Sequence, residues 1–209
     1  FKTATFNGLT GTNMTWNAFA RNNENSLLLP SPTLAQGYAR EFEALFGGQK
    51  EGLGQPVAFA LEGVEGVAYF SPRGGRLARE ALLKRLSEAQ REVLVAAFVL
   101  TDREVLEALL QARRRGAEVK VLLETRNLGT SREEALLEEG LEVRQDANPY
   151  TMHHKVMLLD GTYVVTGSYN FSVRAHEVNN ENLLVLKSPS LAERYRKEVL
   201  RLWEAGSPL

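Results

Sequence analysis

Two stretches of this chain repeat each other at an offset of 157 residues. Asn22-Asn23-Glu24-Asn25 lies over Asn179-Asn180-Glu181-Asn182, and Asn13 falls on Asn170. Ser31-Pro32 falls on Ser188-Pro189, Leu34-Ala35 on Leu191-Ala192, Tyr38 on Tyr195 and Glu41 on Glu198. Self-similarity of this length means that one supersecondary unit is built twice. With two copies visible, the expected arrangement is a pair of units about an approximate two-fold axis. The boundaries expected are 1–50 for the C-terminal part of a first unit and 57–209 for a complete second one. The Gly-rich stretch 47–56 links them. One turn departs from the repeat, because Thr10-Gly11-Thr12-Asn13 faces Gly167-Ser168-Tyr169-Asn170. Either the first copy lacks one residue there or Gly-Ser has become Thr-Gly.

The second copy carries a cluster of chemically capable side chains at fixed spacing, H-x-K-x4-D-x6-G-S-x-N. Its members are His153, Lys155, Asp160, Gly167, Ser168 and Asn170. The segment 153–160 is expected to be a strand and 163–166 its hairpin partner across Gly161-Thr162. Alternation along such a strand puts His153, Lys155 and Met157 on one face, and His154, Val156 and Leu158 on the other. An imidazole, an ammonium, a hydroxyl and an amide on adjacent strands suit a single phosphate group. His154 is then a packing or surface residue, and the adjacent pair His153-His154 is a poor metal site.

This motif resembles that of the phospholipase D superfamily, whose members cleave or exchange phosphodiester bonds without a metal. The resemblance implies two half-repeats that each give one motif to a shared site. It implies an α/β sandwich with a largely parallel or mixed sheet flanked by helices. In the first copy the matching His and Lys would fall before Phe1, and the position of Asp160 falls on Thr3 or Ala4. The chain has no initiator Met, so residues upstream of Phe1 are expected. The partner half would come from there, or from a second copy of this chain across a symmetric interface.

The same resemblance assigns roles. One His attacks phosphorus to give a phosphohistidine, and the partner His protonates the leaving alcohol and then activates water. Lys155 clamps charge, while Ser168 and Asn170, with Asn13 from the first copy, donate hydrogen bonds to the phosphoryl oxygens. Glu181, 28 residues after His153, is the acid expected to orient that imidazole. Glu24 would do the same for the missing first His. Asp160 closes the strand, with a supporting role in salt bridges. No cofactor and no metal is implied.

Composition bounds the partners. Hydrophobic residues make up 44% and charged residues 24% of 209, which suits a globular chain with a real core. The net charge is -1, so a polyanionic substrate must meet a local positive patch rather than a global field. With no Cys, disulfides and thiolate metal sites are excluded. No apolar run reaches the ~20 residues of a membrane span. The phosphodiester substrate is expected to be nucleic acid, since GSYNFSVRAHEVNNENLLVL looks like the small bacterial endonuclease branch. A phospholipid, for a phospholipase D or a cardiolipin-synthase-like transferase, is the second reading. A non-catalytic half that binds nucleic acid or a partner is the third. The sequence leaves the compartment open.

The remaining elements follow from period and caps. Ser31-Pro32 is expected to start a helix that stops at Gly47-Gly48. Further helices are expected over 77–89, from the cap at Thr101 or Asp102 to Arg115, over 131–139 and over 189–205. Strands are expected at 25–29, 67–70, 92–100, 118–124, 141–144 and 182–186.

Overall fold

The computed structural model describes residues 7–209. The elements run β1 (Asn7–Thr10), α1 (Trp16–Ala20), β2 (Ser26–Leu29), α2 (Pro32–Phe46), β3 (Val57–Leu61), β4 (Val64–Phe70), α3 (Gly75–Glu88), β5 (Glu92–Ala97), α4 (Arg103–Arg114), β6 (Glu118–Leu123), a 3-10 turn (Thr125–Asn127) and α5 (Glu133–Glu138). There follow β7 (Glu142–Gln145), β8 (Lys155–Leu159), β9 (Tyr163–Gly167), α6 (Val173–Glu177), β10 (Asn182–Lys187), α7 (Pro189–Ala205) and β11 (Ser207–Pro208).

Nine strands form one mixed sheet in the order β11-β7-β6-β5-β8-β9-β10-β4-β3. Only β5–β6 and β6–β7 are parallel; the other neighbours are antiparallel. Both faces of the central strands are covered. Val93, Val95, Met157 and Leu159 pack into one apolar layer with Leu82, Leu86 and Leu109. Leu94, Ala96, Val156 and Leu158 pack into the other with Leu34, Leu202 and Trp203. A strand buried on both sides reads as a continuous apolar run, which is why VLVAA and KVMLL show little alternation.

The repeat is visible strand by strand. β1 and β2 pair antiparallel, with Asn7 opposite Leu29 and Thr10 opposite Ser26. Shifted by 157, these are the observed pairs Val164↔Leu186 and Gly167↔Leu183 between β9 and β10. Helices match too. Ser31 caps α2 by accepting from Leu34 N, and Ser188 caps α7 by accepting from Leu191 N, each followed by Pro at the first helical position. Thr15 and Ser172 cap α1 and α6 in the same way. The register therefore holds through the irregular turn, and Gly11 occupies the position of Ser168 with no residue missing. A Cβ at Gly11 would lie 2.6 Å from the Gly167 carbonyl oxygen, so a serine does not fit there. Thr3 and Ala4, the positions assigned to Asp160, lie outside the described residues.

Three differences from the expected elements have simple causes. β3 was not anticipated: its alternate residues Ala58 and Ala60 are small and exposed, which gives a weak strand pattern at a sheet edge. The strand expected over 92–100 stops at Ala97, and the chain resumes with a single bridge, Leu100↔Phe171. The strand expected from His153 begins only at Lys155. His176 is buried, with Nδ1 3.7 Å from Asp102 Oδ2.

Candidate active site

The site forms where β8 begins, β9 ends, and β2 and β10 begin. Lys155 opens β8 opposite Ala97 of β5. Continuing the β8–β9 register two residues past Met157↔Val165 sets Lys155 across from Gly167, with Ser168 and Asn170 just beyond. Gly167 has φ +139, and a Cβ there would lie 2.3 Å from Asn182 O, so this turn requires glycine.

His153 sits in the segment before β8 and is held by the first copy. Its backbone N–H donates to Asn23 O at 2.9 Å, beside the parallel bridge Asn23↔Met152. Glu24 is the next residue, and its Oε2 lies 2.9 Å from His153 Nδ1. The carboxylate acceptor assigns the proton to Nδ1 and leaves a lone pair on Nε2. This reverses the expected pairing. Glu24, not Glu181, is the carboxylate in contact with His153, because the two repeats exchange partners across their boundary. Glu181 is instead bonded by Asn179 Nδ2 at 3.1 Å, and its backbone is tied to Ser71. Asn22 Nδ2 contacts Glu24 Oε1 in the same local pattern.

The exchange recurs one residue further on. Asn25 Nδ2 lies 3.1 Å from His154 Nδ1, and its Oδ1 accepts from Tyr195 OH and Thr166 Oγ1. Tyr38 of the first copy donates to Asn182 Oδ1 of the second. Consecutive residues Glu24 and Asn25 thus hold consecutive residues His153 and His154, one on each face. The division of His153 and His154 between faces holds although neither belongs to the strand.

Lys155 is 4% exposed. Its Nζ donates to His153 O at 2.9 Å and lies 4.8 Å from the centroid of the Phe98 ring. Burial pulls the ammonium down to about 8, opposed by the negative charges of Glu24 and Glu181. A buried cation with two nearby carboxylates and no ion pair among the described residues is suited to an incoming anion. Phe98 also meets the His153 ring edge-on at 4.7 Å between centroids. Sequence reasoning missed it because a Phe inside VAAFVL carries only an apolar signal.

Ser168 Oγ accepts from Asn182 N and Nδ2, at 3.0 and 3.2 Å, which leaves its own proton to donate. Asn170 Oδ1 is buried with no partner in the structure. Asn13 belongs to the turn equivalent to that of Asn170, and its carbonyl accepts from Thr15 N.

Asp160 does not join the site. It lies at the far end of β8, on the order of 16 Å away at ~3.3 Å per residue. With φ +54 it turns its carboxylate onto the backbone N–H groups of Gln90, Arg91 and Glu92. Burial pushes that carboxyl up, but these bonds and Arg91 more than offset it and leave it below its ordinary value. Among the described residues no cluster of His, Cys, Asp and Glu is placed to hold a metal ion. No helix among them is long and apolar enough to cross a membrane.

The segment that delivers His153 is itself braced. Glu124, 1% exposed, accepts from Met152 N at 2.6 Å and from Arg126 Nε at 2.8 Å. Asp146 accepts from Thr125 N and Asn148 N.

The family model described as "Cardiolipin synthase, PLD-like domain" matches residues 82–203. A mitochondrial cardiolipin hydrolase of Xenopus laevis is 36% identical over 129 residues, 61% of this chain and 61% of that protein. This chain thus spans about three fifths of the curated relative. The crystal structure of Nuc, a phospholipase D family member from Salmonella typhimurium, has 29% identity and a TM-score of 0.64, covering 74% of this chain and 99% of that one. Phosphatidylserine synthase of Haemophilus influenzae shares the fold at 12% identity, with a TM-score of 0.73 over 98% of this chain and 61% of its own. With the matched region covering more than half of its length, the chain belongs to the phospholipase D-like family.

Proposed function

We propose that this chain is part of a phosphodiesterase that works through a phosphohistidine on His153, with nucleic acid as its substrate. The observation that carries the reading is the Glu24–His153 pair beside the buried Lys155 ammonium. In the proposed step the Nε2 lone pair of His153 forms a bond to phosphorus. The bond from phosphorus to the leaving oxygen breaks, and that oxygen takes a proton from a second imidazole. Glu24 stabilises the imidazolium-like His153. Lys155, Ser168 and Asn170 stabilise charge on the non-bridging oxygens. Water, deprotonated by the second imidazole, then bonds to phosphorus as the bond from phosphorus to His153 Nε2 breaks, and the phosphomonoester leaves.

The second imidazole is supplied by a half-repeat preceding Phe1 or by a second copy of the chain. In this reading residues 1–50 are the end of that first half, and Glu181 is the acid that orients the second imidazole. The nucleic-acid reading is favoured by the likeness to Nuc, which covers nearly all of that chain. The phospholipid reading is favoured by the cardiolipin hydrolase relative.

The test is hydrolysis of bis(p-nitrophenyl) phosphate with EDTA present, wild type beside His153→Ala and Glu24→Gln. Turnover that is lost in His153→Ala and cut about a hundredfold or more in Glu24→Gln is expected, the scale of a positioned acid–base group. Turnover abolished by EDTA, or intact in His153→Ala, defeats the mechanism.

A further inference from the structure

A ledge beside His153 combines an aromatic ring with two guanidinium groups. Tyr150 lies three residues before His153, so the two are at most about 10 Å apart along the chain. Its side chain is 42% exposed, and the Arg21 guanidinium lies 4.8 Å from its ring centroid. Arg126, whose Nε is held by Glu124, reaches the same segment and donates to Thr151 Oγ1 at 2.5 Å. Its side chain is 59% exposed. Among the described residues Arg21 has no carboxylate within ion-pair distance, and its guanidinium donates to the neutral Asn17 amide oxygen.

The ledge is built rather than incidental. Asn148 Nδ2 donates to Arg21 O and to Asn23 Oδ1, at 3.1 and 2.7 Å, and its Oδ1 accepts from Tyr150 N at 2.8 Å. Asn23 N donates to Thr151 O at 2.8 Å. These bonds stitch the end of α1 to the Tyr150 segment across the repeat boundary. The fold does not demand an arginine there. α1 and α6 share the same cap and length, yet the position equivalent to Arg21 at the end of α6 is Val178. The end of α6 therefore carries no guanidinium equivalent to that of Arg21.

The geometry points to this ledge, Tyr150 with Arg21 and Arg126, as a subsite that stacks a base of a single-stranded nucleic acid whose phosphate lies at His153. The proposal rests on the phosphodiesterase reading and names the substrate class for it. Aromatic rings interleaved with arginines are the recognition chemistry of single strands, because every base offers a π-face and every linkage a charge. A stacked strand advances about 3.4 Å per nucleotide, so the ledge lies within about three nucleotides of His153. A phospholipid offers a phosphate but no planar group for Tyr150.

The experiment measures binding by anisotropy of a fluorescent oligothymidylate to the whole chain, and of the same strand made abasic. Binding does not require turnover, so it succeeds or fails apart from the chromogenic assay above. Tyr150→Ala is expected to weaken oligothymidylate binding about tenfold and to leave the abasic strand unchanged. Tyr150→Trp should bind as wild type does, and Arg21→Lys, which keeps the charge but loses the plane, should weaken binding in part. An equal effect of Tyr150→Ala on both strands, or none on either, overturns the subsite. So does a loss of binding to cardiolipin-containing vesicles in Tyr150→Ala while oligothymidylate binding is unchanged.

Discussion

Replacing Lys155 by Met is expected to stabilise the protein while removing its function. The folded chain pulls the ammonium down from 10.5 to about 8, chiefly by burial, and that difference corresponds to about 3 kcal/mol of unfavourable burial at pH 7. The sign follows from proton counting. Between pH 8 and 10.5 the unfolded chain holds this proton and the folded chain does not, so wild-type stability rises with pH across that window. Below pH 8 the penalty is fully present. Met fills a similar volume with no charge. It gives up the donation to His153 O, roughly 1 kcal/mol for a typical hydrogen bond. The net gain at pH 7 is about 2 kcal/mol, or about 4–8 °C in Tm for a chain of this size. At pH 9.5 about 2 kcal/mol of the wild-type penalty has gone, so the two proteins should converge. Urea denaturation at pH 7.0 and 9.5 reads both numbers. A variant less stable than wild type at pH 7, or a gap that does not shrink with pH, would refute the idea that Lys155 is held at a cost in stability to await an anion.

Three further outcomes follow from the geometry. Glu24→Gln should move the NMR 15N resonance of His153 Nδ1 while Glu181→Gln leaves it unchanged, because only Glu24 touches that nitrogen; the reverse result would restore the partnership that the resemblance implied. Asp160→Ala should destabilise by about 2–3 kcal/mol through the three backbone N–H groups it abandons, with Asp160→Asn milder because the amide still accepts and tolerates φ +54; a thermal melt equal to wild type would contradict the capping role. Phe98→Ala should admit water to Lys155, raise its pKa toward 10.5, and shift the alkaline limb of kcat/KM upward; a fixed limb with reduced rate would mean that the ring acts only on His153.

Periodicity, caps and the repeat decided a good deal from sequence alone. The Ser-Pro starts of α2 and α7 appear at the expected residues because a cap is a contact within four residues of chain. The offset of 157 survives as strand register, with the β1–β2 pairs falling on the β9–β10 pairs. The motif Lys, Ser and Asn were legible because the hairpin that joins them is local. Partners across the repeat boundary were not. The family resemblance suggested Glu181 for His153, but the tertiary packing of Asn23 against Met152 delivers Glu24. Asp160 has the motif's spacing and lies at the wrong end of the strand for chemistry, since five strand residues carry it out of reach. Phe98 and the Tyr150–Arg21 ledge have no sequence signal, because a ring's role depends on what crosses its face. Local structure is written in neighbours along the chain. Which carboxylate holds which imidazole is settled by contacts between residues 129 positions apart, and only the folded packing of the two repeats creates them.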